Sequence, residues 1–348
     1  ALIRDLTVEG SVSLVGNTCT GAFASDFYGT LENCTNKLSI VSVHDNLSKG
    51  GTNVGGLVGK AYASARFVKC TNKAQIYAES NIGGFAGALD AGSYVSFSEC
   101  TNEGQIVSAL GNSNSACIAG FVGMAYPCSF HDCVNKGEVK VIKSNQVSGA
   151  AGFIGKAFTA KADTIHYIFK RCLNQGNITA CYNVAGLVGE VNSSIVAGRG
   201  IIMVDSCGNT GTITGGSGSS GKSNVCGLIS AYTPGSVITN SWNSGNIAGN
   251  KSMYVTGIVG NAQKAPTAQY PVIIRNCHNT GAISTAYNQV AGIVGYINSY
   301  VTVDSCYNTG AITSDTYAAG GIAASYSSAT GTVVKNCWNT GVIKGQNR

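Results

Sequence analysis

Charge is scarce in this sequence. Lys, Arg, Asp and Glu make up 11% of its 348 residues, against roughly a quarter in an ordinary globular chain. The formal net charge of +6 is spread along the chain with no run of four basic residues, so the dense basic footprint of a nucleic-acid partner is missing. There is no run of 18 apolar residues, so no transmembrane helix is expected. The first residues, ALIRDLTVEGSV, lack the charged-then-apolar pattern of a signal peptide. They read as the tail of a strand, as if the chain began inside a larger structure. Histidine occurs four times, at His44, His131, His166 and His278, and Glu follows none of them. That excludes a His-Glu-x-x-His zinc site, which needs two imidazoles one helical turn apart. No Cys-x-x-Cys occurs either, which argues against a zinc knuckle. Neither a metal nor a cofactor is expected.

Glycine and cysteine are plentiful, at 47 and 14. The cysteines belong mostly to one short motif met ten times: CTNKLSI at Cys34, CTNKAQI at Cys70, CTNEGQI at Cys100, CVNKGEV at Cys133 and CLNQGNI at Cys172, then CGNTGTI at Cys207, SWNSGNI at Ser241, CHNTGAI at Cys277, CYNTGAI at Cys306 and CWNTGVI at Cys337. Copies are 29 to 39 residues apart, close to 34 on average. The third position is Asn in all ten, the fifth Gly in eight (Leu38 and Ala74 differ), and the seventh Ile in nine. A second motif alternates with the first, as GGLVG at Gly55, GGFAG at Gly83, AGFVG at Ala119, AGIVG at Ala291 and their relatives. A residue type required once per repeat is first a requirement of the repeat.

Each unit offers short runs of period-two alternation between turn residues, which means strands. No window of a dozen residues keeps a helical period free of Gly. The expectation is all-β: a parallel β-helix or β-solenoid of about ten turns, roughly 34 residues per turn, forming a single domain over 1–348. At ~4.8 Å per rung the rod would be roughly 50 Å long. Cys, Asn and Ile share one parity and should point inward. The Asn is expected at a bend with positive φ, its amide bonding to the Asn of the next turn. The Gly two residues on should allow the next corner. The thiols read as a buried, mostly reduced ladder, with local pairing open to Cys19, Cys117, Cys128, Cys181 and Cys226.

Units of the form GLVG followed by C-x-N-x-G-x-I resemble the GLUG-motif repeats of large cell-surface proteins in bacteria and some protists, over nearly the whole chain. The resemblance implies a stalk, spacer or adhesive surface at an extracellular or cell-surface location. Similar repeats accompany IgA1-specific metallopeptidases, but the zinc motif that activity needs is absent here.

Two columns invite chemistry. The residue before each Cys places Glu99 and Asp132 on adjacent turns, the spacing a polysaccharide-cleaving β-helix could use. Lys69 and Arg171 flank them in the same column, so a surface charge ladder is the favoured reading. The residue after each Cys gives Trp242, His278, Tyr307 and Trp338 on four successive turns. These rings would stack on one another or offer a strip to glycan or protein. Asn-x-Ser/Thr sequons stand at Asn33, Asn46, Asn177, Asn192 and Asn250; Asn46, Asn192 and Asn250 fall in variable segments where a glycan acceptor would be exposed. The expected function is an extracellular structural repeat protein, a stalk or filament component without catalytic activity. The alternatives are an adhesin using the aromatic column, and a carbohydrate-active β-helix using Glu99 and Asp132. Exposed strand edges at the two ends should be covered by further sequence or by head-to-tail contact with a second copy.

Overall fold

The computed structural model describes every residue except 16–18, 44–52, 63, 93, 109–115, 143–146, 159–165, 193–196, 216–222, 251, 263–264, 287–288, 317–318, 328–329 and 346–348. Among the described residues there is no helix. The chain coils into a parallel β-solenoid whose strands stack in four sheets. One turn shows the plan. Arg66–Val68 enters the first sheet, Thr71–Asn72 and Ile76–Ala78 form two columns of the second, Ile82–Gly83 joins the third and Ala86–Leu89 the fourth. The sheets hold eleven, twenty, nine and ten strands, and each strand pairs in parallel with its equivalent one turn away. Neighbouring turns therefore satisfy one another's backbone, which explains how a chain so poor in charge and helix formers is ordered.

The interior is divided. Ile40, Ile76, Ile106 and their equivalents face Val54, Ile82 and Ile118 of the third sheet in one core. A larger core lies between the first and fourth sheets and holds the cysteines of the repeat motif and the third residue of the GGLVG-type motifs. The chain crosses from one core to the other at the Asn on one side and at the second glycine of GGLVG on the other. There the two touch. A Cβ on Gly120 would sit 2.1 Å from Asn135 Oδ1, and one on Gly292 would sit 2.5 Å from Asn308 Cβ. The motif's second glycine is thus required by the Asn opposite it.

At this waist the amides form an unbroken ladder. Asn36, Asn72, Asn102, Asn135, Asn174, Asn209, Asn243, Asn279, Asn308 and Asn339 are linked Nδ2 to Oδ1 at 2.6–2.8 Å. From Asn72 onward each Nδ2 also donates to the carbonyl two residues along its own chain, as Asn279 does to Gly281 at 2.8 Å. The fifth-position glycine closes the arrangement: a Cβ on Gly137 would lie 1.9 Å from the Gly104 carbonyl oxygen one rung below. Leu38 lacks that corner, and Thr35–Val43 accordingly runs through it as one straight strand.

One expectation needs correction. The ladder Asn is not the residue with positive φ; it lies in an extended strand, as in Thr71–Asn72. The bend falls three residues earlier, just before the Cys. Asn33, Lys69, Glu99, Asp132, Arg171, Ser206, Asn240, Asn276, Ser305 and Asn336 all have φ between 52° and 56°. A left-handed non-glycine residue costs about 1–2 kcal/mol, least for Asn and Asp, which supply five of these ten. The bend carries the next side chain back over the carbonyl two residues before it. Cys70 Sγ donates to the Val68 oxygen at 3.3 Å, and in the odd rung Ser241 Oγ makes the same bond to Thr239 at 2.6 Å. A small side chain with a γ donor is what the position selects, so Ser can replace Cys.

Composition changes along the larger core. Phe67, Phe97, Phe130 and Phe169 stack face to face at 4.7–5.1 Å, beside a second stack of Phe85, Phe121 and Phe153 at 4.6–4.7 Å. The two meet edge to face at 82–87° in a herringbone, the geometry aromatic quadrupoles prefer. Beyond Phe169 the same positions are Val204, Ile238 and Ile274, opposite Leu228 and Ile258.

Replacing Asn279 by Ala strands one amide hydrogen of Asn243, the carbonyl of Gly281 and the acceptor of Asn308 in a dry interior. The expected loss is about 1–3 kcal/mol, whereas Thr280→Ala, on an exposed neighbour, should cost little. Equal denaturation midpoints for the two variants would rule out the ladder as a stabilising element.

Candidate functional site

The strongest constellation is the aromatic column. Trp242, His278, Tyr307 and Trp338 pair in register on successive rungs. His278 lies over Tyr307 at 4.7 Å and Tyr307 over Trp338 at 4.5 Å, each pair 2° from parallel. At the other end the Trp242 indole covers Gly208, where a Cβ would meet Cε2 at 2.4 Å. Partial burial lowers the His278 pKa, which favours a neutral ring in the stack. Stacked rings hide their faces in each other and show solvent their edges. Trp338 is the exception, 48% exposed on the last rung. Along the described rungs the column therefore presents ring edges rather than a strip of four open faces.

Glu99 and Asp132 do stand on adjacent rungs at the left-handed bend, but each turns to a cation. Lys69 Nζ is 3.9 Å from Glu99 Oε2, and Arg171 grips Asp132 through Nε and Nη2, both at 2.6 Å. The hydrogen bonds from Arg171 hold the Asp132 carboxyl below its usual range. A general acid needs the opposite shift. Both side chains are open to solvent.

Further along the same edge are acidic partners that the sequence reading passed over. Asp304 receives Asn336 Nδ2 and Ser305 Oγ, each at 3.0 Å, between Arg275 at 3.4 Å and Lys335 at 3.7 Å. Asp205 likewise accepts from Asn240 and Thr239 at 2.8 and 2.9 Å. Asn336 lowers the Asp304 carboxyl pKa and Asn240 that of Asp205, each by hydrogen bonding to the ionised form. Comparing residues two before the Cys from rung to rung would have revealed these alternating signs. A shallow cleft of ≈ 170 Å³ runs past Ile142, Thr179, Cys181, Thr214 and Asn250, with no carboxylate, amine or imidazole on its walls.

Among the described residues no three of His, Cys, Asp and Glu converge as a metal site would require. All fourteen cysteines are free, including the five off the ladder, and only Cys19 and Cys337 are less than fully buried. Burial pushes the Cys117 and Cys226 thiols up to about 12 and raises that of Cys128 as well. Among the sequons, Asn250 is exposed and Asn192 partly so, while Asn46 lies outside the described residues; Asn33 and Asn177 are exposed at bends. No helix is long and apolar enough to cross a membrane. No family model matches this chain, nor does any curated protein or solved structure.

Alkylation of the native chain should reach Cys19 and Cys337 at most, and denaturation should open all fourteen thiols to the reagent. An intact mass consistent with seven disulfides, or rapid native labelling of the ladder, would contradict this.

Proposed function

We propose that the chain is the shaft of an extracellular structural repeat protein, a stalk or filament component that carries no catalytic machinery of its own. The observation that carries this reading is the continuous Asn ladder, nine hydrogen bonds in succession along the rod axis. A fold that repeats one interaction along its whole length is suited to spacing or presenting something. The paired motifs, with their resemblance to GLUG repeats, favour a cell-surface setting. In this reading Glu99 and Asp132 are the inner members of an ion-paired surface column, and the sequons at Asn192 and Asn250 are acceptors on the outside of the shaft.

A second reading is kept for one observation, the aromatic column in which Trp338 is 48% exposed beside Tyr307. Exposed rings of that kind suit an apolar sugar face or a protein side chain, which would make the column an adhesive surface.

The readings separate in two assays on the purified chain. The structural reading expects no turnover of acidic polysaccharides and no saturable binding on a glycan array. Turnover lost in Glu99→Gln would replace it with the carbohydrate-active alternative. Array binding lost in Trp338→Ala, with an unchanged melting curve, would replace it with the adhesin.

A further inference from the structure

The outward face of the first sheet changes character along the rod. One column on it reads Thr30, Arg66, Ser96 and Ser129 in the early rungs, then Ile168, Met203, Val237 and Ile273, then Thr302. Hydroxyls and an arginine serve the fold at this position, so nothing in the rung requires hydrocarbon there. Met203 is 39% exposed and the other three apolar residues are partly exposed. One column back, Ile201 lies over Gly235 and the Tyr270 ring over Gly198, where a Cβ would sit 2.9 and 2.6 Å from them. These side chains form one contiguous apolar patch with further rungs on both sides of it, and such a patch on an exposed face marks a contact surface.

Beside the patch runs a charged column of the same sheet, Lys170, Asp205, Thr239, Arg275 and Asp304. Its signs are plus, minus, neutral, plus, minus. Reversed about Thr239, that order is its own complement. We infer that this face pairs with the same face of a second copy, the two shafts side by side and antiparallel about a twofold axis along the Val237–Thr239 strand. The half-turn lays Val237 on Val237 and Met203 on Ile273. It also brings Asp205 to Arg275 and Lys170 to Asp304. Shifting the axis by half a rung sets Lys170 against Arg275, or Asp205 against Asp304. Shifting it by a whole rung sets Asp205 or Arg275 against itself. A half-turn about the rod axis would instead press Asp205 onto Ile201. Only one register therefore matches both charge and hydrocarbon. The patch supplies the attraction, and the column, already partnered in part by its own rungs, fixes the register. Five rungs by three outward columns measure roughly 24 by 20 Å. Such a pair buries about 1,000 Å² in all, the low end for a specific contact, so pairing is expected at micromolar rather than nanomolar concentration. This goes beyond the structural reading by naming what lies alongside the shaft.

Sedimentation of the full chain tests it. The unsubstituted protein should pass reversibly from single chains to pairs as concentration rises. Val237→Lys sets two ammonium groups at the axis and should weaken pairing roughly tenfold or more. Ser96→Lys, on the same column outside the patch, should leave pairing unchanged. Asp205→Arg and Arg275→Asp should each weaken it alone, since each brings like charges together twice. Mixed in equal amounts, these two variants should pair again, because every crossing then joins an Arg to an Asp. All four positions face outward, so melting curves should stay close to that of the unsubstituted chain. A chain that remains single at high concentration, or association that survives Val237→Lys, overturns the inference. So does a mixture of the two charge variants that pairs no better than either alone. None of these outcomes bears on the structural reading, which is decided by the polysaccharide and glycan assays.

Discussion

The contact between the ladder asparagines and the glycines opposite them governs the rest of this architecture. A buried primary amide brings two donors and one acceptor atom into a dry interior and must satisfy them all. In the inner rungs the solution is fixed: one hydrogen to the next rung's oxygen, one to the carbonyl two residues on, and the oxygen to the rung before. The amide can hold that position only if nothing projects from the opposite wall. A side chain on Gly120 or Gly292 would strike it. The two sequence motifs are therefore halves of one constraint, which is why they recur in equal numbers.

Other features follow from the waist. With amides and glycines at the centre, apolar burial is split into two cores, and neither spans the full width of the rod. The larger core tolerates a change from stacked phenylalanines to Val, Ile and Leu without a change of course, since each rung needs only to match its neighbours. Hydrophobic fill is exchangeable here and the amide is not. The left-handed bend before each Cys belongs to the same logic. It incurs backbone strain in every rung, offset by the γ donor it places over a carbonyl and by the pairing of the chain on both sides.

Much of this could be read from the sequence because periodicity reports what every rung must have. Cys, Asn, Gly and Ile recur at fixed positions, and the parallel solenoid, the inward amides and the buried thiols follow from them. The bend was misplaced for a physical reason. Its column contains Lys69, Glu99, Arg171 and Ser305 as well as Asn, because any side chain can point outward from a left-handed residue held by its neighbours. The requirement is on the backbone and leaves only a partial trace in residue type, the Asn and Asp that fill half of the column. The phenylalanine herringbone was missed because it joins two columns that lie far apart in the repeat and meet only across the core. Proximity of Glu99 and Asp132 is legible in the spacing, but the direction each carboxylate turns depends on Lys69 and Arg171 reaching from the rungs outside the pair.

The same repetition determines where chemistry can reside. A solenoid rung fixes the direction of every inward side chain, so variation is confined to outward columns and to the connections between sheets. On the outward columns of the first two sheets, residues of successive rungs stand close enough to satisfy one another: carboxylates find cations or amides, as Asp304 finds Asn336 and Lys335, and rings find rings, as Tyr307 finds Trp338. A group that is already satisfied by the rungs above and below it has little left to offer a ligand. Unsatisfied groups concentrate where a column stops. The polarity of the hydrogen-bonded ladder, with every Nδ2 donating toward the C-terminal neighbour, thus gives an otherwise repetitive rod a chemical direction.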